Sequence, residues 1–166
     1  MKKQELTDAE FISILFKEDE LGAVITAHLY IEYHIDEILQ ILMPYYNEYQ
    51  KDLKLSYDQK INLLCACGVK KSLRGMLSNL GKIRNSFAHN LNYTIDKEAI
   101  NNLYNSLNEV AKSILISSHN KTRFQIEHIG VESFKKLDIR DQFRIIAVVI
   151  RDGVLALKDE FKKQIE

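Results

Sequence analysis

A single proline, Pro44, and six glycines are the only strong helix breakers in 166 residues. Proline removes a backbone donor and glycine loosens the backbone, so a chain this poor in both can extend any helix it starts. Apolar residues recur three, four and seven apart almost throughout, and no alternating strand pattern competes. Thr7 with Glu10 forms a capping box that opens a helix running to about residue 18. A long helix covers about 20–43 and ends or bends at Pro44. The tyrosine-rich "PYYNEYQKDLKL" reads as a connector or short helix. Ser56 with Gln59 opens "YDQKINLLCACGV", which stops at Gly68. The next helix takes in about 70–89, and Asp96 caps another through "KEAINNLYNSLNEVAKSILI". A polar stretch, "SSHNKTRFQIEH", follows, then a short turn near "VESFKKL". Asp138 caps the last helix, where Ile139, Phe143, Ile146, Ile150, Leu157 and Phe161 mark an inner face. The expected fold is all-α, a single-domain up-and-down helical bundle spanning 1–166.

Charge narrows the choice of partners. Lys+Arg and Asp+Glu both number 23, so the formal charge is zero. A broad electrostatic grip on nucleic acid is not indicated, and any RNA binding must use a local patch. The two cysteines, Cys65 and Cys67, are too close for a framework disulfide, and no second thiol pair is present for zinc. They read as reduced, small, buried hydrophobes of an intracellular protein. The start, "MKKQELTDAEF", lacks the apolar core of a signal peptide. The apolar run "IIAVVI" at 145–150 is too short to span a membrane and lies between Arg144 and Arg151. A cytoplasmic protein is expected.

The long second helix carries an anomaly. At 100° per residue, Leu21, Val24, Ile25, Ile31, Ile35, Ile38, Leu39 and Leu42 share one broad face. His28 and Glu32 fall on that same face, one turn apart, while Tyr30, Tyr33, His34 and Glu37 fall opposite. A buried histidine and carboxylate are costly unless hydrogen-bonded. They form a satisfied core pair, or Glu32 holds a basic residue from another helix, or Glu32 reaches Arg84 or Asn85 and orients a site. A metal site of His28, Glu32 and Asp36 lacks an identifiable further ligand, so no metal and no cofactor is expected.

The stretch "KIRNSFAHN" at 82–90 gathers an arginine, an amide and a histidine near a helix end. Asn85 and His89 are four apart and face the same way, and Arg84 lies about 100° around from Asn85. Fraying near Ala88 would swing His89 toward Arg84. Arginine binds phosphate in a planar fork, asparagine positions an oxygen without adding charge, and histidine moves a proton near neutral pH. Together they can activate a ribose 2′-hydroxyl or protonate a leaving oxygen without a metal. The alternative is structural: a cationic pair that complements the helix dipole.

The run "YDQKINLLCACGV…LSNLGKIRNSFAHN", with "ITAHLYIEYHIDEIL" upstream, resembles the mannitol operon repressor (MltR)-like branch of the HEPN superfamily. The resemblance covers about residues 20–115 and is most specific at "RNSFAH"; the helical extension at about 131–165 lies outside it. The resemblance implies an α-helical homodimer and a metal-independent endoribonuclease. Arg84 would be the motif arginine, Asn85 its polar follower and His89 the motif histidine, with two copies meeting across the dimer. Lys70, Lys71, Arg74 and Lys82 can rim an RNA groove, or form a solvated helix face. Glu32 and His28 would support the site from behind. A stress, toxin–antitoxin or phage-defence role with a separate antitoxin or regulatory protein is implied. The same branch also implies a rival, a non-catalytic transcriptional regulator or partner-binding module. No helix-turn-helix or basic recognition helix supports direct DNA reading. Tyr45, Tyr46 and Tyr49 can stack bases or pack at a core edge.

Overall fold

The computed structural model describes residues 6–90, 92–122 and 134–165, and among them every regular element is helical. The order is α1 (Asp8–Lys17), α2 (Glu20–Leu42), α3 (Tyr46–Leu53), α4 (Tyr57–Ala66), α5 (Lys71–His89), α6 (Lys97–Asn105), α7 (Glu109–Thr122) and α8 (Ile139–Ile165), with a 3-10 turn at Phe134–Lys136. The caps explain most of these starts. Thr7 and Ser56 both form complete capping boxes, with Glu10 and Gln59 returning to the cap backbone. Asp19, Asp96 and Asp138 accept from backbone N–H groups in the first turns of α2, α6 and α8. α2 ends at Leu42, before Pro44.

One expected helix is two. The run after Asp96 breaks at Ser106–Asn108 because Asn108 makes a second cap, its Oδ1 accepting from Ala111 N at 2.7 Å. The segment between α7 and the 3-10 turn, residues 123–133, lies outside the described residues; α7 takes in the first six residues of "SSHNKTRFQIEH", and the 3-10 turn falls in the second half of "VESFKKL". No helix among the described residues is long and apolar enough to cross a membrane.

α2 is the central helix. It packs on α1, α4, α5 and α8, so both faces separated in the sequence become interior over much of its length. Val24, Ile31, Ile35, Ile38 and Leu39 are fully buried, and so is His34 on the other side. There His34 Nδ1 lies 2.7 Å from Glu37 Oε2, which also accepts from Lys158 of α8 at 3.1 Å. The middle of α8 is likewise buried all round, Phe143 to Arg151, rather than on one stripe. Two of its arginines latch α1. Arg151 bonds Asp8 and lies over Phe11, and Arg144 donates to the Glu18 carbonyl at 2.6 Å beyond the other end of that helix. Cys65 and Cys67 are free and half-buried rather than buried.

Three apolar residues of α2 face solvent: Leu21 is 47%, Ile25 36% and Leu29 59% exposed. α4 begins only at Tyr57, whose ring meets His28 at 4.2 Å between centroids. From there the side-chain contacts of α4 run along α2 toward Asp36, which leaves the first turns of α2 bare on that side.

Candidate functional site

α5 supplies the Arg-Asn-His set. Its 19 residues, "KSLRGMLSNLGKIRNSFAH", include no aspartate or glutamate. In a chain of zero net charge this helix concentrates Lys71, Arg74, Lys82, Arg84 and His89. Leu73, Met76, Leu77, Leu80 and Ile83 are buried and fix its rotation. Lys71, Arg74, Lys82, Asn85 and His89 are consequently exposed along one outer stripe, and Lys70 is exposed at the N-cap. At 1.5 Å per residue the stripe is about 27 Å long.

The helix does not fray. It runs unbroken to His89, and Asn90 N continues the pattern by donating to Ser86 O at 3.1 Å. Five helical residues separate Arg84 from His89, so their Cα–Cβ directions differ by about 140°. Asn85 and His89 are exposed; Arg84 is half-buried on the side turned toward α2. Its Nη1 donates to Asn85 Oδ1 at 2.9 Å, which draws the guanidinium toward its neighbour. Arg84 and Asn85 are thus brought together, whereas Arg84 and His89 of one chain leave opposite sides of the helix. The His89 side chain makes no hydrogen bond among the described residues.

Arg84 differs from the buried arginines. Arg144 and Arg151 are each paired with aspartates. No carboxylate among the described residues lies within ion-pair reach of Arg84. A half-buried guanidinium without a carboxylate retains its capacity for an anion.

The reason lies in α4. Glu32 does not reach Arg84 or Asn85; Lys60 takes it at 2.9 Å and takes Asp36 at 2.8 Å. Tyr46 donates to the other Asp36 oxygen at 2.8 Å. Burial works against the Lys60 charge, but its bonds to Asp36 and Glu32 prevail and hold its pKa above the ordinary lysine value. Burial, and then the neighbouring Asp36, push the Tyr46 phenol up. An ammonium therefore stands between the carboxylates considered above as metal ligands, and no group of three metal-ligating side chains occurs among the described residues.

His28 is 2% exposed, with Nδ1 lacking a hydrogen-bond partner and lying 3.7 Å from Glu32 Oε2. Burial pushes its pKa down to about 4; Glu32 opposes this, and the positive charges of Arg84 and Lys60 add to it. A neutral imidazole therefore lies within the field of Arg84.

Two further groups set the position of α5, and neither carries a recognisable signal in the sequence. Tyr57 packs on Gly81 and donates to Leu77 O at 3.1 Å. Glu20, at the start of α2, accepts from Ile95 N at 2.7 Å and so holds the chain that leaves His89. Phe87 and Tyr93 close the same corner edge-to-face at 4.8 Å. Lys60 does carry a signal: it interrupts the apolar face that Ile61 and Leu64 mark. Tyr45 and Tyr49 are exposed and, with Tyr46, line an open apolar cavity of about 480 Å³ beside Leu42 and Leu53.

Comparison with protein-family models, with curated proteins and with solved structures found no match to this chain.

Proposed function

We propose that this chain is a metal-independent endoribonuclease of HEPN type, similar to the MltR-like branch, working as a homodimer. The observation that carries the reading is α5 itself: an acid-free helix with an exposed cationic stripe that ends at an exposed histidine and a carboxylate-free arginine. A polyanion meets no acidic residue along that helix, and its phosphates can follow Lys71, Arg74 and Lys82, with Lys70 at the rim. Arg84 neutralises the charge that develops on the attacked phosphate, with Asn85 holding the guanidinium in place. His89 serves as general acid or base toward the 2′-hydroxyl or the leaving 5′-oxygen. The bond from 2′-oxygen to phosphorus forms as the bond to the 5′-oxygen breaks, giving a 2′,3′-cyclic phosphate and a 5′-hydroxyl. Glu32 and His28 shape the field behind Arg84 without touching RNA. A toxin–antitoxin, stress or phage-defence setting in the cytoplasm, with a separate antitoxin or regulator, fits such an activity.

The test is RNA binding across salt concentration, joined to end-group analysis of any product. Lys82→Glu should weaken binding and flatten the salt dependence by about 0.7 for each single-strand phosphate that the chain no longer neutralises. An unchanged slope for both Lys82→Glu and Arg74→Glu would show that RNA does not follow the outer stripe.

A second reading has one observation in its favour. The exposed Tyr45, Tyr49 and Leu53 beside an apolar cavity suit a non-catalytic partner-binding or regulatory module of the MltR type. Tyr49→Glu would then abolish the biological effect, whereas His89→Ala would leave it intact.

A further inference from the structure

The end of α2 and the short helix α3 border an apolar cavity of about 480 Å³ that opens to water. Leu42 and Met43 line it where α2 ends, Tyr45, Tyr49 and Leu53 line it along α3, and no charged side chain does. Tyr45, Tyr49 and Leu53 stand four apart, share one face and are 68%, 57% and 47% exposed. The cavity is remote from the Arg-Asn-His set: Arg84 acts on His28, and Leu42 lies about 21 Å along α2 from that histidine. The charge around the cavity has one sign. With Tyr49 as zero on the α3 wheel, the exposed Asp52 stands about 60° and Glu48 about 100° to the side of Tyr45. Lys51 and Lys54 stand about 160° and 140° away from Tyr49. α2 adds its negative end, since no basic residue occupies its last turn and Pro44 has no N–H to give to Gln40 O. Tyr46 N donates to Met43 O and so leaves Leu42 O to that end as well.

We infer that this groove docks a basic amphipathic helix of a partner protein, with apolar side chains in the cavity and arginine or lysine against Asp52, Glu48 and the end of α2. Extent argues for a protein. A site for a small molecule buries most of its ligand, whereas a small molecule in this open cavity would leave Tyr45 and Tyr49 in water. A helix covers cavity and rings together, and it packs lengthwise on a ridge of residues four apart. Tyrosine is also a preferred anchor of protein interfaces. Sign then selects among macromolecules. Nucleic acid and an anionic membrane surface carry the same charge as Glu48 and Asp52 and are repelled. A basic helix gains from both features: its apolar side buries against the rings, and its charges meet carboxylates at the rim, where they set rate and selectivity. The inference gives the partner-binding reading of this surface its chemistry and rests on that reading, not on RNA cleavage.

The experiment is fluorescence anisotropy of the full chain with three labelled peptides of equal length. The first carries leucines at i, i+3, i+4 and i+7 and arginines elsewhere, the second replaces every arginine by glutamate, and the third scrambles the leucines. The arginine peptide should bind, and its scrambled form should bind at least about tenfold more weakly. Tyr49→Ala and Leu53→Ala should each weaken the arginine peptide at least about tenfold. Glu48→Lys with Asp52→Lys should weaken it similarly at low salt, and by less as salt screens the rim. Val110→Ala, at another exposed apolar residue, should leave binding unchanged. The variants alter exposed side chains, and circular dichroism checks their folding. No binding of the arginine peptide at low salt, equal binding of the glutamate peptide, or indifference to both cavity variants overturns the inference. Self-association of the wild type that Tyr49→Ala abolishes gives the groove to a second copy and also overturns it. Groove-dependent binding by a chain whose Tyr49→Glu variant keeps its biological effect supports the site and removes the partner-binding reading instead.

Discussion

One edge of the Tyr57 ring lies against the backbone of Gly81: a Cβ built on that glycine would come within 2.9 Å of the tyrosine Cε1 and 3.0 Å of its Cδ1. This contact, backed by the hydrogen bond from the Tyr57 hydroxyl to Leu77 O, sets how closely α4 and α5 approach one turn before Arg84. Alanine normally stabilises a helix interior by about 1 kcal/mol relative to glycine. At position 81 the sign should invert, with Gly81→Ala costing about 1–3 kcal/mol from overpacking against a rigid ring. Urea unfolding of Gly81→Ala alone and with Tyr57→Leu checks this: the double variant should recover most of the loss.

His28 makes stability depend on pH. Its folded pKa is about 4, against the ordinary 6.5. Between those values the unfolded chain binds a proton that the folded chain refuses, so this contribution is complete above pH 6.5 and is lost as pH falls through 4. The loss should approach about 3 kcal/mol, since a tenfold change in proton affinity is worth about 1.4 kcal/mol. Unfolding free energies at pH 7, 6, 5 and 4 for wild type and His28→Phe measure it. Phenylalanine keeps a ring against Tyr57 and should flatten the slope in this window.

Glu20 and Ile95 form the tie that holds the loop after His89. Glu20→Ala strands a backbone N–H on a residue that is only 4% exposed. That should cost about 1–3 kcal/mol, whereas Glu20→Gln keeps an acceptor and should cost much less. Thermal melts rank the two, and amide exchange at Ile95 should rise in the alanine variant alone.

Much of the architecture is legible in the sequence because its signals are local. Thr7, Ser56, Asp96 and Asp138 announce helix starts through side chains that bond within three residues, and Pro44 marks where α2 ends. Asn108 hides inside a good apolar period, so α6 and α7 read as one helix. What lies beyond reach is tertiary. Glu32 is open to three partners from sequence, and only the approach of α4 assigns it to Lys60, 28 residues away. Leu21 and Ile25 share the apolar period of α2, yet periodicity cannot show that α4 starts too late to cover them. Arg84, Asn85 and His89 stand out as a set in the sequence; the angular split between Arg84 and His89 follows from α5 staying helical to its last residue.

The most direct test of the nuclease reading is cleavage of total cellular RNA by the purified chain in excess EDTA, beside Arg84→Ala and His89→Ala variants of confirmed fold and oligomeric state. The expected result is EDTA-resistant cutting that leaves 2′,3′-cyclic phosphate ends, with each variant reduced at least about a hundredfold, the scale of losing a proton-transfer or charge-stabilising group. Cutting that EDTA abolishes, or that survives both substitutions, would contradict it.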